Sequence, residues 1–425
     1  MISLDGFISS LKNLANRRIG VVLALGVASG LPLALTGGTL QAWMTVEGVD
    51  LTTIGFFTLV GLPYTIKFLW APLMDRFVPP FLGRRRGWML LCQMALAICI
   101  FSTSLFSPKE TPWLIAGLAL MIAFFSASHD IVVDAYRADV LPAHERGMGA
   151  AVFVSGYRFA MLISGAVALM LSEYLGWRVT YVLISVLMLT GMLAVLWGPE
   201  PMHDSKPPAT LGEAVVGPLK DFFKRNGAVS FLILIILYKL GDAFAGSLTT
   251  AFLIRGPGFS LTEVGALNKG LGLAATLLGA LFGGALMVRL GLYGSLMLFG
   301  ILQAVSNLSF MILAYVGKSY LMLVTAVGFE NLAGGMGTAA FVALLMALCH
   351  ARYSAAQFAL LSALAALGRV YVGPASGFLA EDFGWVIFFL FTFFIALPGL
   401  FLLWRMKKNI ESIDVPWDEK TQLDE

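Results

Sequence analysis

The sequence predicts an all-α polytopic membrane protein, with twelve transmembrane helices in two pseudo-repeated six-helix halves. Three observations carry the prediction. Of 425 residues, 59% are hydrophobic and 12% charged, with a mean hydropathy of +0.85; a soluble domain is nearer about half apolar and about a quarter charged. Apolar runs of 18 or more residues recur along the chain, too long for a soluble core and without the alternation of barrel strands. Short motifs also recur at a nearly constant spacing of 208 to 213 residues.

The first 18 residues hold Asp5, Lys12, Arg17 and Arg18 without a small-residue cleavage site, so no removable signal peptide is expected. The spans are read at 19–44, 51–74, 87–107, 112–136, 147–173 and 178–197, then 228–253, 262–288, 291–316, 319–345, 354–379 and 384–404. Each crosses a hydrocarbon layer of about 30 Å at about 1.5 Å per residue. Gly or Pro interrupts several of them (Gly30-Leu31-Pro32, Gly61-Leu62-Pro63, Gly373-Pro374), as close helix packing allows. Cys92, Cys99 and Cys349 lie in apolar runs without metal-ligand spacing and read as packing residues, so neither metal nor cofactor is expected.

Orientation follows from Lys and Arg. An even number of spans puts both termini on one side; nineteen cations fall there, four (Lys109, Arg178, Arg255, Lys318) on the other, and five inside spans. Both termini are therefore expected in the cytoplasm. Residues 198–227 break the apolar pattern with five prolines and an amphipathic stretch carrying Lys220, Lys224 and Arg225, which reads as a cytoplasmic linker partly lying on the membrane surface. It separates a six-helix bundle at 1–197 from one at 228–404, followed by a cytoplasmic tail at 405–425.

The halves repeat. Ser172-Glu173-Tyr174-Leu175-Gly176-Trp177 answers Ala380-Glu381-Asp382-Phe383-Gly384-Trp385, Leu51-Thr52-Thr53-Ile54-Gly55 answers Leu261-Thr262-Glu263-Val264-Gly265, and Leu73-Met74-Asp75-Arg76 answers Leu286-Met287-Val288-Arg289. A parallel repeat of this kind with a cytoplasmic linker resembles the major facilitator fold, whose substrate site lies between the halves near the midplane.

Asp130 and Asp134, four apart in span 4, share one helix face. Carboxylates inside a span are costly unless they meet a partner or a wet cavity. Two of them in low dielectric hinder each other's ionisation, so one can hold a proton near neutral pH. The competing reading is a structural ion pair with Arg137, Arg146 or Arg158. Asp139, near the turn, reads as a solvated loop residue. His129 points about 100° away from Asp130 and reads equally well as a polar packing residue. The other charges within spans are Lys67, Arg158, Lys239, Lys269 and Arg369, with Asp242 and Glu330. Lys239 and Asp242 are three apart and can pair within one helix. Five cations with four acids suit an anionic or zwitterionic solute beside proton carriers, with about half expected in structural pairs.

Asp75-Arg76 and Gly83-Arg84-Arg85-Arg86-Gly87 resemble the signature loop of major facilitator transporters between spans 2 and 3 and read as an intracellular latch; positive-inside anchoring is the plainer reading of the arginines. Glu330-Asn331 precedes Gly334-Gly335-Met336-Gly337, where small-residue packing is the commoner explanation. Thr36, Thr39, Gln41 and Trp43 on span 1 are candidates to contact sugar. The chain has no HExxH, Walker loop or nucleophile elbow, so neither an enzyme nor a nucleotide-driven pump is expected, nor a nucleic-acid partner.

Thr39-Leu40-Gln41-Ala42-Trp43-Met44, Lys67-Phe68-Leu69-Trp70, Tyr238-Lys239-Leu240-Gly241-Asp242, Phe329-Glu330-Asn331-Leu332 and Gly368-Arg369-Val370-Tyr371 resemble the AmpG-type muropeptide permeases of Gram-negative bacteria over nearly the whole chain. Ser128-His129-Asp130-Ile131-Val132-Val133-Asp134-Ala135 follows that family's pattern with His129 as a departure. The resemblance implies a proton-driven importer of N-acetylglucosaminyl-1,6-anhydro-N-acetylmuramyl peptides across the bacterial inner membrane, serving cell-wall recycling and, in some species, β-lactamase induction. It implies no cofactor, and a monomer in the lipid bilayer is the default for this architecture. The alternative is a symporter for another sugar, a peptide or an acyl-CoA-like anion. The second half has Thr338 and Val342 where the first has its paired acids, so proton coupling is expected in the first half.

Overall fold

A computed structural model describes residues 16–142, 145–199, 220–224, 227–349 and 354–413. All regular structure among them is helical. Among the described residues ten helices are long and apolar enough to cross a membrane: α1 (Arg17–Val46), α2 (Leu51–Leu69), α3 (Gly83–Thr103), α4 (Pro112–Val140), α5 (Arg146–Leu175), α6 (Trp177–Trp197), α7 (Ala228–Arg255), α8 (Leu261–Val316), α9 (Tyr320–Ala347) and α10 (Gln357–Arg405). A short α11 (Lys407–Ile413) follows. Helices α8 and α10 are about twice the length a bilayer needs. They break at Gly291 (φ 67°) and Gly384 (φ 75°), the residues at which spans 9 and 12 begin in the sequence reading.

Local chemistry sets the helix ends. Asn16 caps α1 by accepting from the Arg18 amide at 3.2 Å, and Asp50 caps α2 by accepting from the Thr53 amide at 2.7 Å. Burial raises the Asp50 carboxyl, but the Thr53 donors and Arg255 outweigh it and hold the group below the usual carboxylate range. Ser260 and Glu263 form a capping box at the start of α8. Helices α1, α5 and α8 each contain a π-helical stretch, at Leu35–Thr39, Ile163–Val167 and Val264–Leu271. The first two are joined where Thr39 Oγ1 donates to the Ser164 carbonyl at 2.6 Å.

The chain divides into two compact units, residues 1–48 with 60–208 and residues 49–59 with 209–425. In the first, α1 crosses α5 so closely that a Cβ at Gly26 would lie 2.5 Å from the Phe153 carbonyl oxygen and one at Gly156 2.6 Å from that of Leu23. The last carbonyls of α6, which have no partner within the helix, accept from two arginines: Arg17 Nε reaches Trp197 O at 2.7 Å, and Arg86 reaches Val195 O and Leu196 O at 2.9 Å each. Arg86 is thus a helix cap as well as a positive charge.

Arg85 is buried and pairs with Asp139 at 3.1 Å, with the two side chains 9% and 13% exposed. Asp139 lies inside α4, which runs on to Val140, so it is a paired helix residue and not the solvated loop residue expected from sequence. Removing one partner of a buried pair strands the other charge at a cost of about 3–5 kcal/mol, whereas replacing both with apolar groups costs far less. Arg85→Met is therefore expected to lower the melting temperature in detergent more than Arg85→Met with Asp139→Leu, and a thermal-shift comparison checks it.

In the second unit, α7 and both halves of α8 and α10 pack with α9 around Tyr238, Phe299, Phe341 and Leu344. Phe252, Phe310 and Phe389 form a second aromatic nest, with ring centroids 4.7 to 6.2 Å apart. Of the linker, Lys220–Lys224 is described, and there Phe222 is 3% exposed in the core of this unit. Gln357 Nε2 donates to Asp221 at 2.9 Å. This piece is pinned to the bundle by Phe222, while Phe223 beside it is exposed.

Candidate functional site

The first unit holds a buried polar knot joining α1, α3 and α4. His129 on α4 is fully buried, and both ring nitrogens are engaged: Nδ1 lies 3.2 Å from Ser29 Oγ on α1, and Nε2 lies 3.0 Å from Gln93 Nε2 on α3. Gln93 is itself fully buried, and α6 closes its pocket: a Cβ at Gly191 would lie 2.8 Å from its Nε2. The Ser29 hydroxyl is also set against the Asp130 carboxyl, with Lys67 from α2 as the foremost charge facing that carboxyl and Asp134 and Arg137 following. Asp130 Oδ1 is buried without a hydrogen-bond partner. The Tyr64 and Ser126 hydroxyls lie beside each other without a well-formed bond, and Tyr64 faces Asp130. Trp70 fixes the turn above by donating Nε1–H to Ser128 at 3.0 Å and packing on Phe124 at 5.0 Å.

The second unit holds a cavity of about 370 Å³, lined by Lys239, Asp242, Glu330, Asn331, Thr338 and Arg369 among others. That volume lies in the range of small-molecule sites. Lys239 Nζ lies 3.4 Å from Asp242 Oδ2 and 3.4 Å from Thr338 Oγ1. Asp242 also accepts from Gln303 on the second half of α8. Asn331 is clamped: it donates to Glu330 at 2.7 Å and to the Val327 carbonyl at 2.9 Å, and it accepts from Thr276 at 3.1 Å. Lys269 donates to Thr250 at 3.0 Å and faces Glu330 electrostatically. The cavity therefore mixes two cations, two acids and neutral donors. Arg369 is exposed and has no ion pair among the described residues, which leaves its guanidinium free for a carboxylate.

The sequence-predicted residues are distributed as follows. Asp130 and Lys67 come together in the first unit, and Lys239, Asp242, Glu330, Asn331 and Arg369 line one cavity in the second with Lys269 behind them. Asp134 turns to an exposed position and pairs with Arg137, whose guanidinium lies 3.8 Å over the Phe153 ring. Arg158 on α5 and Gln41 on α1 are half-buried. Of the loop residues, Arg76 is exposed, Arg84 is half-buried and Arg85 is paired as above, while the Asp75 side chain lies outside the described residues. His144, His203 and His350 are outside them as well. Among the described residues no cluster of three His, Cys, Asp or Glu side chains suits a metal ion. Of the glycines after Asn331, Gly335 and Gly337 are helix contacts, a Cβ at the first falling on the Thr276 carbonyl and one at the second lying 2.5 Å from Gln303 Cδ, whereas Gly334 has nothing within 4 Å and lines the cavity.

Ser29, Gln93 and Gln303 were not singled out from sequence, yet a signal for them exists. Gln93 and Gln303 stand 210 residues apart, as do Ser29 and Lys239. That is the spacing of the internal repeat: an amide at the same repeat position reaches His129 on α4 in the first unit and Asp242 on α7 in the second.

A family model described as the Major Facilitator Superfamily matches residues 22–370. The chain is 56% identical over 395 residues to the anhydromuropeptide permease of Escherichia coli (strain K12), covering 93% of this chain and 80% of that one. It is 39% identical over 399 residues to a protein of Haemophilus influenzae, covering 91% and 94%. Among solved structures, a crystal structure of the nucleoside transporter NupG superposes with a TM-score of 0.75 at 14% identity, covering 92% of this chain and 100% of that one; at that identity the likeness concerns the fold.

Proposed function

Because this chain belongs to the Major Facilitator Superfamily, within the group of AmpG-type muropeptide permeases, we propose that it imports N-acetylglucosaminyl-1,6-anhydro-N-acetylmuramic acid and its peptides into the cytoplasm in symport with protons. The supporting observation is the division of labour between the units. One holds a carboxyl with one oxygen buried and unpartnered. The other holds a cavity whose Lys239 and Arg369 suit the carboxylates of a sugar-peptide. The chain is a multi-pass inner-membrane transporter in this reading, with both termini cytoplasmic and no catalytic step.

Asp130 carries the proton. An ionised oxygen buried without a donor is costly, and a proton on Oδ1 removes the charge. Lys67 faces that charge, and Asp134 with Arg137 sets the potential next to it. In the second unit Lys239, Arg369 and Lys269 attract the anionic cargo, while Asp242 holds Lys239, Glu330 faces Lys269, and Asn331 positions Glu330; all three offer hydrogen bonds to sugar or peptide. Gln41 and Arg158 of the first half bind the solute as well. Asp75, Arg76, Arg84 and Arg85 serve the cytoplasmic latch, Arg85 through its pair with Asp139, and transport proceeds by alternating access. β-lactamase induction follows indirectly, through delivery of the cargo.

The test is uptake of labelled anhydro-disaccharide into membrane vesicles with unlabelled competitors. Competition by anhydromuramyl peptides, and none by reducing disaccharides, dipeptides or acetyl-CoA, is expected; displacement by one of the latter alone would transfer the assignment to that solute. Arg369→Gln is expected to raise KM for the disaccharide-tripeptide about tenfold, the loss of one charge-assisted hydrogen bond. Initial-rate kinetics on the same vesicles measure it.

A further inference from the structure

We propose that His129 is a positioning residue: held by Gln93 as the tautomer with its hydrogen on Nδ1, it donates to Ser29 and thereby fixes the Ser29 hydroxyl as a donor to Asp130. This rests on the reading of Asp130 as the proton carrier. Ser29 has one hydrogen and two neighbours, His129 Nδ1 at 3.2 Å and the Asp130 carboxyl. A carboxylate only accepts, so an ionised Asp130 takes the Ser29 hydrogen. Ser29 must then accept from His129, which puts the imidazole hydrogen on Nδ1 and a lone pair on Nε2. That lone pair needs a donor, and the Gln93 amide nitrogen stands 3.0 Å away.

The repeat gives an independent check on that amide. Gln303 presents its nitrogen to Asp242, again an acceptor, and its oxygen is buried without a partner. Gln93 has the same arrangement, with Oε1 buried and unpartnered. Gly191 stands against the nitrogen end of the Gln93 amide, and Gly337 against the oxygen end of the Gln303 amide. The chain of donors therefore runs one way, from Gln93 through His129 and Ser29 to Asp130. Nδ1 is already occupied, so a proton on Asp130 has no onward path through Ser29. It enters and leaves at Oδ1, the oxygen without a partner. The charged and titratable groups facing Asp130 are Lys67 and Tyr64 from α2 and Asp134 and Arg137 from α4, with Tyr157 of α5 beside Tyr64.

Two near-isosteres separate positioning from packing. Asn at 129 places an amide N–H where Nδ1 stands and keeps the donor to Ser29; Gln places its amide where Nε2 stands and loses that donor. Proton-driven uptake of the anhydro-disaccharide is measured against pH in vesicles, with thermal stability recorded for each variant. His129→Asn is expected to keep the wild-type midpoint. Ser29→Ala is expected to move it to the alkaline side by about one pH unit, because the carboxylate has lost a donor, and His129→Gln in the same direction, because the Ser29 hydroxyl is no longer held toward the carboxylate. A wild-type midpoint in folded His129→Gln, or an equal shift in His129→Asn, overturns the proposal. If His129→Gln does not fold, Ser29→Ala decides alone: an unmoved midpoint refutes the donor role. Asp130→Asn separates the two levels, since a pH profile kept in that variant refutes the proton carrier itself.

Discussion

Asp130→Asn is expected to abolish gradient-driven accumulation of the anhydro-disaccharide while leaving counterflow of labelled against unlabelled solute. Asparagine keeps the shape of the side chain and can still meet Ser29, so the knot at α1, α3 and α4 stays assembled. It cannot gain and lose a proton. One proton entering with a monoanionic solute carries no net charge, so the pH gradient is the driving force: one pH unit supplies about 1.4 kcal/mol, which corresponds to about tenfold accumulation of the co-transported solute. The variant is expected to lose that factor and to equilibrate solute passively. Counterflow needs only loaded carrier to reorient, so it distinguishes an uncoupled transporter from a misfolded one. Loss of both activities in a protein of wild-type thermal stability would assign Asp130 to solute binding instead.

Gly30→Ala is expected to give a large loss of folded protein. A methyl group there meets the backbone carbonyl of Tyr157, with Ala160 Cβ at 2.9 Å and Tyr157 C at 3.1 Å. A flexible side chain could turn away, but these obstacles are mostly backbone, so α1 and α5 must separate along their crossing. Overpacking of this kind costs about 1–3 kcal/mol or more. Ser29 is the adjacent residue, so the same displacement breaks its contact with His129. The expected outcome is a melting temperature several degrees lower and little transport. Gly117→Ala is the control: it lies on α4 with nothing within 4 Å of the added methyl, and alanine is the better helix former. Equal stability of the two variants would show that the α1–α5 crossing is looser than the geometry indicates.

Much of the fold is legible in the sequence, because a bilayer leaves few options. Apolar length, the Lys/Arg asymmetry and the repeat each act over twenty residues or more, so local irregularity does not hide them. Glycine signatures are legible too: Gly291 and Gly384 break α8 and α10 where the sequence reading starts a new span. The site is less legible. Charges inside spans stand out by their cost, which is why Asp130, Lys239, Asp242, Glu330 and Arg369 could be named. Which of them meet depends on helix rotation. Asp134 shares a face with Asp130 by spacing, yet it lies at 56% side-chain exposure against Arg137. Ser29 and Gln93 are neutral and short-range, so nothing in hydropathy or charge marks them; only the 210-residue repeat does. Asp139 was misread because α4 extends one turn further than the apolar run, into a stretch held by the ion pair with Arg85.

The central claim is that solute and proton move together through one protein. Purified protein in proteoliposomes loaded with a pH-sensitive dye, with no imposed gradient, tests it when anhydro-disaccharide is added outside. Acidification of the lumen that follows solute entry, that is absent with the reducing disaccharide and that disappears in Asp130→Asn is the predicted result. Entry of labelled disaccharide with no change in lumenal pH would contradict it.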